Sequence, residues 1–287
     1  MELVDFSSCR IDNTRIYRGA NGKKLGIEYE DNIYMLKFPS LGKAEDISYS
    51  NSAISEYISC HIFNSIGIKA QETVLGIFRK NENQKIACAC KDFTIGNNEL
   101  VEFAQVKNGV LLDSPSNGYG VELSEVLKAI DEQTLMPSEI VKEYFWKMFI
   151  VDAFLGNFDR HNGNWGFLID RSNNKVEFSP IFDCGSCLYP QLTDELVAEY
   201  LDNKQELEKR VYVFPNSALK IDNVKINYYE FIKERKNKDC NKALQKILPK
   251  INLDEINKII DETPGISETR KQFYKRILKM RYEIILN

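Results

Sequence analysis

Histidine is nearly absent: His61 and His161 are the two in 287 residues. A metal centre built on several imidazoles is therefore excluded, and a Ser-His-Asp triad would have to recruit one of these two. Acidic side chains must carry most of any catalysis. Long apolar runs are also missing, since none approaches the roughly 20 residues needed to cross a bilayer. The opening MELVDFSSCR has neither the basic nor the apolar region of a secretory signal. A cytoplasmic location without a membrane partner is expected, with export lacking a cleaved signal, or delivery to a host, left open. Positive charge is not in excess either: 38 Lys and Arg against 42 Asp and Glu give a formal charge of -4. No global basic field draws the chain to DNA, RNA or anionic lipid, so no direct nucleic-acid partner is expected. Cysteines number seven and are scattered, too few for a disulfide framework in a chain of this length, and reduced thiols are expected. Cys184-x-x-Cys187 and Cys88-x-Cys90 could offer four thiolates, but the second spacing is wrong for a zinc knuckle, and zinc is not expected.

What is present is 43% apolar residues, enough to bury a substantial core in one large domain or two lobes. Lys24 to Glu30 and Ile33 to Phe38, joined at Asp31-Asn32, read as a hairpin ended by Pro39. Residues 52–66 read as a helix with Ile54, Ile58, His61 and Ile62 on one stripe, closed by Gly67. Glu72 to Phe78 and Lys85 to Cys90 read as two further strands around a polar turn from Arg79 to Gln84. Residues 1–95 are thus expected to form a small β-rich lobe with one main helix. Beyond Gly120 the pattern becomes helical, and 96–287 is expected to be a larger, mainly helical lobe. In it Val141, Tyr144, Phe145, Met148, Val151 and Leu155 recur at helical spacing before Gly156 stops the helix. Residues 194–210, 238–248, 253–261 and 268–286 alternate charge with apolar stripes as an all-helical tail.

Immediately after Gly156 comes Asn157-Phe-Asp-Arg-His-Asn-Gly-Asn-Trp165, and after a gap Ile181-Phe-Asp-Cys-Gly185. Trp165 to Ile169 and Lys175 to Phe178 read as an out-and-back hairpin, which returns the chain to its starting point. Asn164 and Asp183, 19 residues apart in sequence, would then reach one ion. Magnesium prefers hard oxygen ligands and keeps several waters, so a carboxylate, an amide oxygen and nucleotide phosphates suffice. Asp159 is left to accept a proton from an attacking hydroxyl. Taken alone, Asp159-Arg160-His161 is a polar turn after a helix. The conjunction of N-x-D-R-H-x-x-N, a hairpin and F-D-x-G is what carries the functional reading. His161 is expected to bond backbone and hold Asp159 in place, and Asp152 either reaches the loop from below or is a plain helix-end carboxylate. In the first lobe Lys37 shares a strand face with Ile33 and Met35, close to apolar surface, and needs anionic partners. Glu56 falls on the stripe of Ala53, Cys60 and Phe63, so the two are expected to pair.

Together with Gly19-Ala-Asn-Gly-Lys23, Met35-Leu-Lys-Phe-Pro39, Ser55-Glu-Tyr57 and Pro180 to Leu188, these segments resemble the HipA-like serine/threonine kinase family, most of all its short stand-alone members, the CtkA type. The resemblance implies an α+β, two-lobed protein-kinase-like fold with ATP and Mg2+ in the cleft, and a protein substrate bearing a serine or threonine hydroxyl. By position it implies Asp159 as catalytic base, Asn164 and Asp183 as magnesium ligands, Lys37 on the phosphates with Glu56 as its partner, and Gly19, Ala20, Asn21, Gly22 and Lys23 as the loop over them. Arg160 and His161 support the loop. Two features depart from the family's toxins. Fewer than twenty residues precede the glycine loop, where those toxins carry a further domain, and this puts a DNA-associated antitoxin partner in doubt. Ile16 stands where they carry an autophosphorylated serine, although Ser7, Ser8 and Thr14 are near. A lipid or small-molecule kinase and a nucleotide-binding scaffold are the competing classes. The scaffold would be expected to lack one of Lys37, Asp159, Asn164 or Asp183, and all four are present.

Overall fold

Residues 2–17, 24–41, 48–80, 83–113 and 115–286 are described by the computed structural model. Strands β1 (Val4–Asp5) and β2 (Arg10–Ile11) precede the hairpin of β3 (Lys24–Tyr29) and β4 (Asn32–Lys37). A two-residue pair, β5 (Ser40–Leu41) and β6 (Ser48–Tyr49), leads to helix α1 (Ser52–Ser65) and a long hairpin, β7 (Thr73–Lys80) and β8 (Asn83–Lys91). Six of these strands form one sheet in the order β1-β7-β8-β4-β3-β2. Strand side chains alternate between faces, so Ile27, Tyr34, Leu36, Ala87 and Ala89 gather on the outer face under the buried ring of Phe6. Gly76 allows that cover, because a Cβ there would overlap the Val4 carbonyl and the Phe6 ring. Met35, Cys88 and Cys90 turn to the inner face, against α1 and the main core. Lys37, two residues from Met35, falls on that inner face as well.

The β3–β4 turn corrects the expected one. Glu30 and Asp31 occupy it, both at positive φ (46° and 57°), one residue ahead of Asp31-Asn32. Lys24 is consequently set opposite Lys37, where the expected turn would have placed Gly26 there. The polar stretch from Arg79 to Gln84 is narrower than expected too, because cross-strand pairing continues to Lys80 and Asn83. Helix α1 has no single apolar stripe: Ser55, Glu56, Ser59 and Cys60 are as buried as Ile58 and Phe63. The helix is enclosed by β7 and β8 on one side and by a C-terminal helix on another.

After β8 the chain forms β9 (Asn98–Glu102), α2 (Phe103–Leu111), α3 (Leu123–Glu132) and α4 (Ser138–Leu155). The hairpin β10 (Gly166–Asp170) and β11 (Lys175–Phe178) follows, with β9 added on its other edge. Next come α5 (Asp194–Asp202), α6 (Lys204–Tyr212) and a hairpin, β12 (Asn216–Ile221) and β13 (Val224–Asn227). The chain ends in α7 (Tyr228–Lys233), α8 (Lys238–Ile247), α9 (Leu253–Glu262) and α10 (Glu268–Arg281). Three features differ from the sequence expectation. β9 and α2 lie in a stretch not read as regular structure, and β12–β13 interrupts the supposedly all-helical tail. The helix expected over 194–210 is two, broken at Asn203, whose side chain accepts hydrogen bonds from Gln205 and Glu206 and so starts α6. Among the described residues no helix is long and apolar enough to cross a membrane.

Helix α4 runs through the core, with Val141, Phe145, Trp146, Met148 and Val151 buried and Tyr144 stacked on Phe178 at 3.8 Å between ring centroids. Gly156 closes it in the left-handed conformation (φ 73°). The guanidinium of Arg281, wholly buried, lies against Gly156 and donates to the Phe154 carbonyl at 3.2 Å. A cation at a helix C-terminus opposes the negative end of the dipole. Gly156→Ala would add a Cβ in a disfavoured backbone region and drive it into that guanidinium. The expected loss is about 2–3 kcal/mol of unfolding free energy by urea titration, and an unchanged midpoint would contradict the packing described.

Candidate active site

The loop after Gly156 is held from below by a buried ion pair. Arg160 Nε donates to Asp152 Oδ2 at 3.0 Å and Nη2 to Oδ1 at 3.3 Å, so the helix carboxylate grips the guanidinium with both oxygens. Nη1 donates to the carbonyls of Asn164 (2.8 Å) and Phe182 (2.6 Å), and Nη2 also meets Cys184 Sγ at 3.3 Å. All five N–H donors of the guanidinium are thereby used. The two chain segments on either side of the β10–β11 hairpin are tied to a single nitrogen. Asn157 adds a bond to Asp152 Oδ1 (2.9 Å) and accepts the Asp159 amide (3.0 Å), while Asn162 reaches the carbonyls of Gly118 and Gly120. Burial pushes the Asp152 carboxyl up, and the opposing charge and hydrogen bonds of Arg160 pull against it.

Asp159 itself is half-buried, and burial raises its pKa from the ordinary carboxylate value. The charge of His161 opposes the rise and that of Asp183 adds to it, and an upward shift is the direction that favours a proton acceptor. Asn164 donates from Nδ2 to the Asp159 carbonyl at 2.8 Å, leaving Oδ1 without a hydrogen-bond partner among the described residues. His161 Nδ1 accepts the Gly163 amide at 3.0 Å, so its ring shapes the loop backbone as expected.

Opposite this loop stands Lys37 on β4. Its Nζ lies 3.0 Å from Asp183 Oδ1 and 3.1 Å from Glu56 Oε1, with the side chain only 12% exposed. Burial works against the ammonium, but Asp183 and Glu56 outweigh it and hold its pKa well above the ordinary value. Lys37 in turn holds Asp183 down to about 2, while burial lifts Glu56 despite the Lys37 charge. The Glu56 contact has ion-pair distance without hydrogen-bond alignment, so Oε1 is otherwise unpartnered among the described residues. Asp183 adopts φ 56°, uncommon for a side-chain-bearing residue and a mark of a conformation imposed by its surroundings. Its side chain is 45% exposed, so the carboxylate is open to a ligand on one side and bound to Lys37 on the other.

Lys37, Glu56 and Asp183 thus meet in one cluster, and Asp159, Arg160, His161 and Asn164 in the adjoining loop. Gly19, Ala20, Asn21, Gly22 and Lys23 lie outside the described residues. Lys24 was not singled out from sequence. Its strand register sets it beside Lys37, and burial together with the Lys37 charge lowers its pKa, while Asp183 opposes that fall. A correct turn assignment would have revealed it. Asn164 Oδ1 and the Asp183 carboxylate are hard oxygen donors of the kind magnesium takes, and paired ammonium groups on β3 and β4 suit a polyphosphate.

A small curled sheet with one buried helix, set over a mainly helical body with the acidic loop between them, defines a protein-kinase-like fold. The chain belongs to the HipA-like C-terminal domain family, whose model matches residues 18–264. It is 45% identical over 289 residues to the serine/threonine-protein kinase CtkA of Helicobacter pylori strain J99, covering 100% of this chain and 87% of that protein. The crystal structure of a Helicobacter pylori proinflammatory kinase CtkA superposes with a TM-score of 0.91 at 47% identity, covering 99% of this chain and 95% of that one. The chain is accordingly an enzyme of the serine/threonine-protein kinase class.

The Lys37–Asp183 pair has a sign that can be checked. A carboxylate whose folded pKa is about 2, below its unfolded value of about 3.9, contributes stability fully above roughly pH 4, lost as pH falls through the folded value. Carbon-detected NMR titration of Asp183 is expected to give a midpoint near 2 in the wild type and a clearly higher one in Lys37→Met. Equal midpoints would show that Lys37 does not set this carboxylate.

Proposed function

We propose that this chain transfers the γ-phosphoryl group of ATP, with magnesium, to a serine or threonine hydroxyl of a protein substrate. The observation that carries the reading is the double attachment of the acidic segments: Arg160 links the Asp159–Asn164 loop to Phe182, and Lys37 links Asp183 to the sheet. In this reading residues 1–95 cradle the nucleotide and residues 96–287 carry the reacting loop. Lys37, kept charged by Asp183 and Glu56, contacts the phosphates together with residues 19–23. Asn164 Oδ1 and Asp183 would hold the metal. When bound, magnesium neutralises charge that builds on the phosphate oxygens during transfer.

Asp159 receives the acceptor's hydroxyl proton as the oxygen attacks in line with the leaving group. Its raised pKa matches that task, because the proton must be taken up in the transition state and released afterwards. His161 and Asn157 fix the backbone around it, and Arg160 keeps the loop at a set height over Asp152. Thr14, near the segment where family toxins modify themselves, is exposed, with its hydroxyl bonded to Asp12 at 2.6 Å. Self-transfer is read in the same assay as transfer to an added acceptor.

Purified protein with ATP, magnesium and a generic acceptor protein such as casein is expected to incorporate phosphate. Asp159→Asn should lower the rate by roughly 10²–10⁴-fold while nucleotide binding persists. Transfer that survives in Asp159→Asn would remove Asp159 from the role of base, and no transfer by the wild type at any metal concentration would overturn the reading.

A further inference from the structure

We infer that the groove beside Asp159 selects acceptor proteins in which the target hydroxyl residue is flanked by an apolar side chain and an acidic one. This rests on the kinase reading and deepens it. The groove encloses about 380 Å³ and is lined by Phe158, Gln191, Leu192, Phe214, Pro215 and Lys225, among others. Phe158 immediately precedes Asp159, so the groove opens within one residue of the proposed base. Gln191 and Leu192 come from the segment that follows Asp183. Phe214, Pro215 and Lys225 come from the approach to β12 and from β13. A chain lying there runs between the two segments that flank the reacting loop.

Two properties define what fits. Phe214 is 45% exposed beside the equally exposed Val213, and Val224 at the start of β13 is 70% exposed, so this edge offers apolar surface to a partner. Lys225 stands opposite Lys220 in the β12–β13 register, and like charges facing each other across strands are unfavourable unless an anion neutralises them. Among the described residues neither lysine has a carboxylate within ion-pair distance. Of the acids nearby, Glu122 has both oxygens engaged by the Asp222 and Asn223 amides of the hairpin turn, and Asp159 lies near enough for the Lys225 charge to act on its carboxyl. Arg210 is not available either, being paired with Glu206 at 3.5 Å and lying over the Tyr200 ring. Two lysines against the single Asp159 carboxylate still leave the facing pair net positive, so an acidic side chain on the acceptor completes its charge balance and a basic one is repelled.

The test uses the full chain, ATP and magnesium, with synthetic peptides that each carry one serine. Leucine or glycine lies on one side and glutamates or lysines on the other, in both chain orders, with casein alongside. The wild type should favour the glutamate over the lysine peptide by about fivefold or more in kcat/KM, the size that exposed charge pairs support. Lys225→Glu should cancel or reverse that ratio, and Phe214→Ala should erase the leucine-over-glycine preference. Both side chains are exposed, so unchanged thermal melting is expected to accompany the altered ratios. Peptide phosphorylation with the same ratios in wild type and variants, or transfer to casein but to no peptide, would overturn the groove's role and leave the kinase reading intact. Phosphorylation of neither casein nor any peptide by the folded wild type would overturn both.

Discussion

The arrangement depends first on the buried pair between Asp152 and Arg160. Moving two charges out of water is costly, and such a pair repays that cost only when its remaining donors and acceptors are satisfied. Here they are: every guanidinium N–H has a partner, and Asn157 bonds one oxygen of the carboxylate. The pair contributes less to net stability than to fixing position. It converts the end of α4 into a reference point from which the loop carrying Asp159 and the segment carrying Asp183 are both measured. Arg281 does related work one turn away by donating to the Phe154 carbonyl of α4 beside Gly156, and its other donors reach Tyr189 and the Arg210 carbonyl. The loop carrying Asp159, the segment after Asp183 and the C-terminal helix are thereby joined through two arginines.

The second constraint runs between lobes. Lys37 belongs to the sheet, Glu56 to α1 and Asp183 to the body, yet one ammonium nitrogen touches both carboxylates. Two carboxylates against one buried ammonium leave the cluster net negative. That imbalance falls where a divalent cation would be welcome, and Lys24 on the neighbouring strand moderates it. The same geometry explains the differing titration of the two acids. Asp183, half open and hydrogen-bonded to Lys37, ionises easily, whereas Glu56, enclosed and poorly aligned, is pushed the other way.

Much of the local structure was legible in the sequence. Helices α1 and α4, the β3–β4 and β10–β11 hairpins and the acidic loop carry their signals within short windows: apolar spacing, a stop glycine, turn residues. What escaped depended on partners far along the chain. β9 is five residues, NELVE, whose strand identity comes from pairing with β10, more than sixty positions on. The β12–β13 hairpin was hidden by flanking helical patterns, although its Asp222-Asn223 turn at positive φ is a hairpin signal. Lys24 was missed through a one-residue error in turn placement, which changes every cross-strand partner. Among the site residues, Lys37 and Glu56 were foreseen as a pair from strand and helix periodicity, but the involvement of Asp183 with Lys37 joins two lobes, and no local pattern reports it. The breadth of the Arg160 network was likewise hidden, since three of its five contacts are to backbone carbonyls or a thiol.

The central claim is that the Asp152–Arg160 pair sets the geometry of Asn164 and Asp183, the proposed metal ligands. Replacing both charges at similar volume, Asp152→Leu with Arg160→Met, avoids an unpaired buried charge and is compatible with a stable fold. Calorimetric titration of that double variant with ADP, with and without magnesium, is the most direct measurement. The claim predicts a folded protein that binds ADP but has lost the gain in affinity that magnesium confers on the wild type. A double variant with an undiminished magnesium-dependent gain would contradict it.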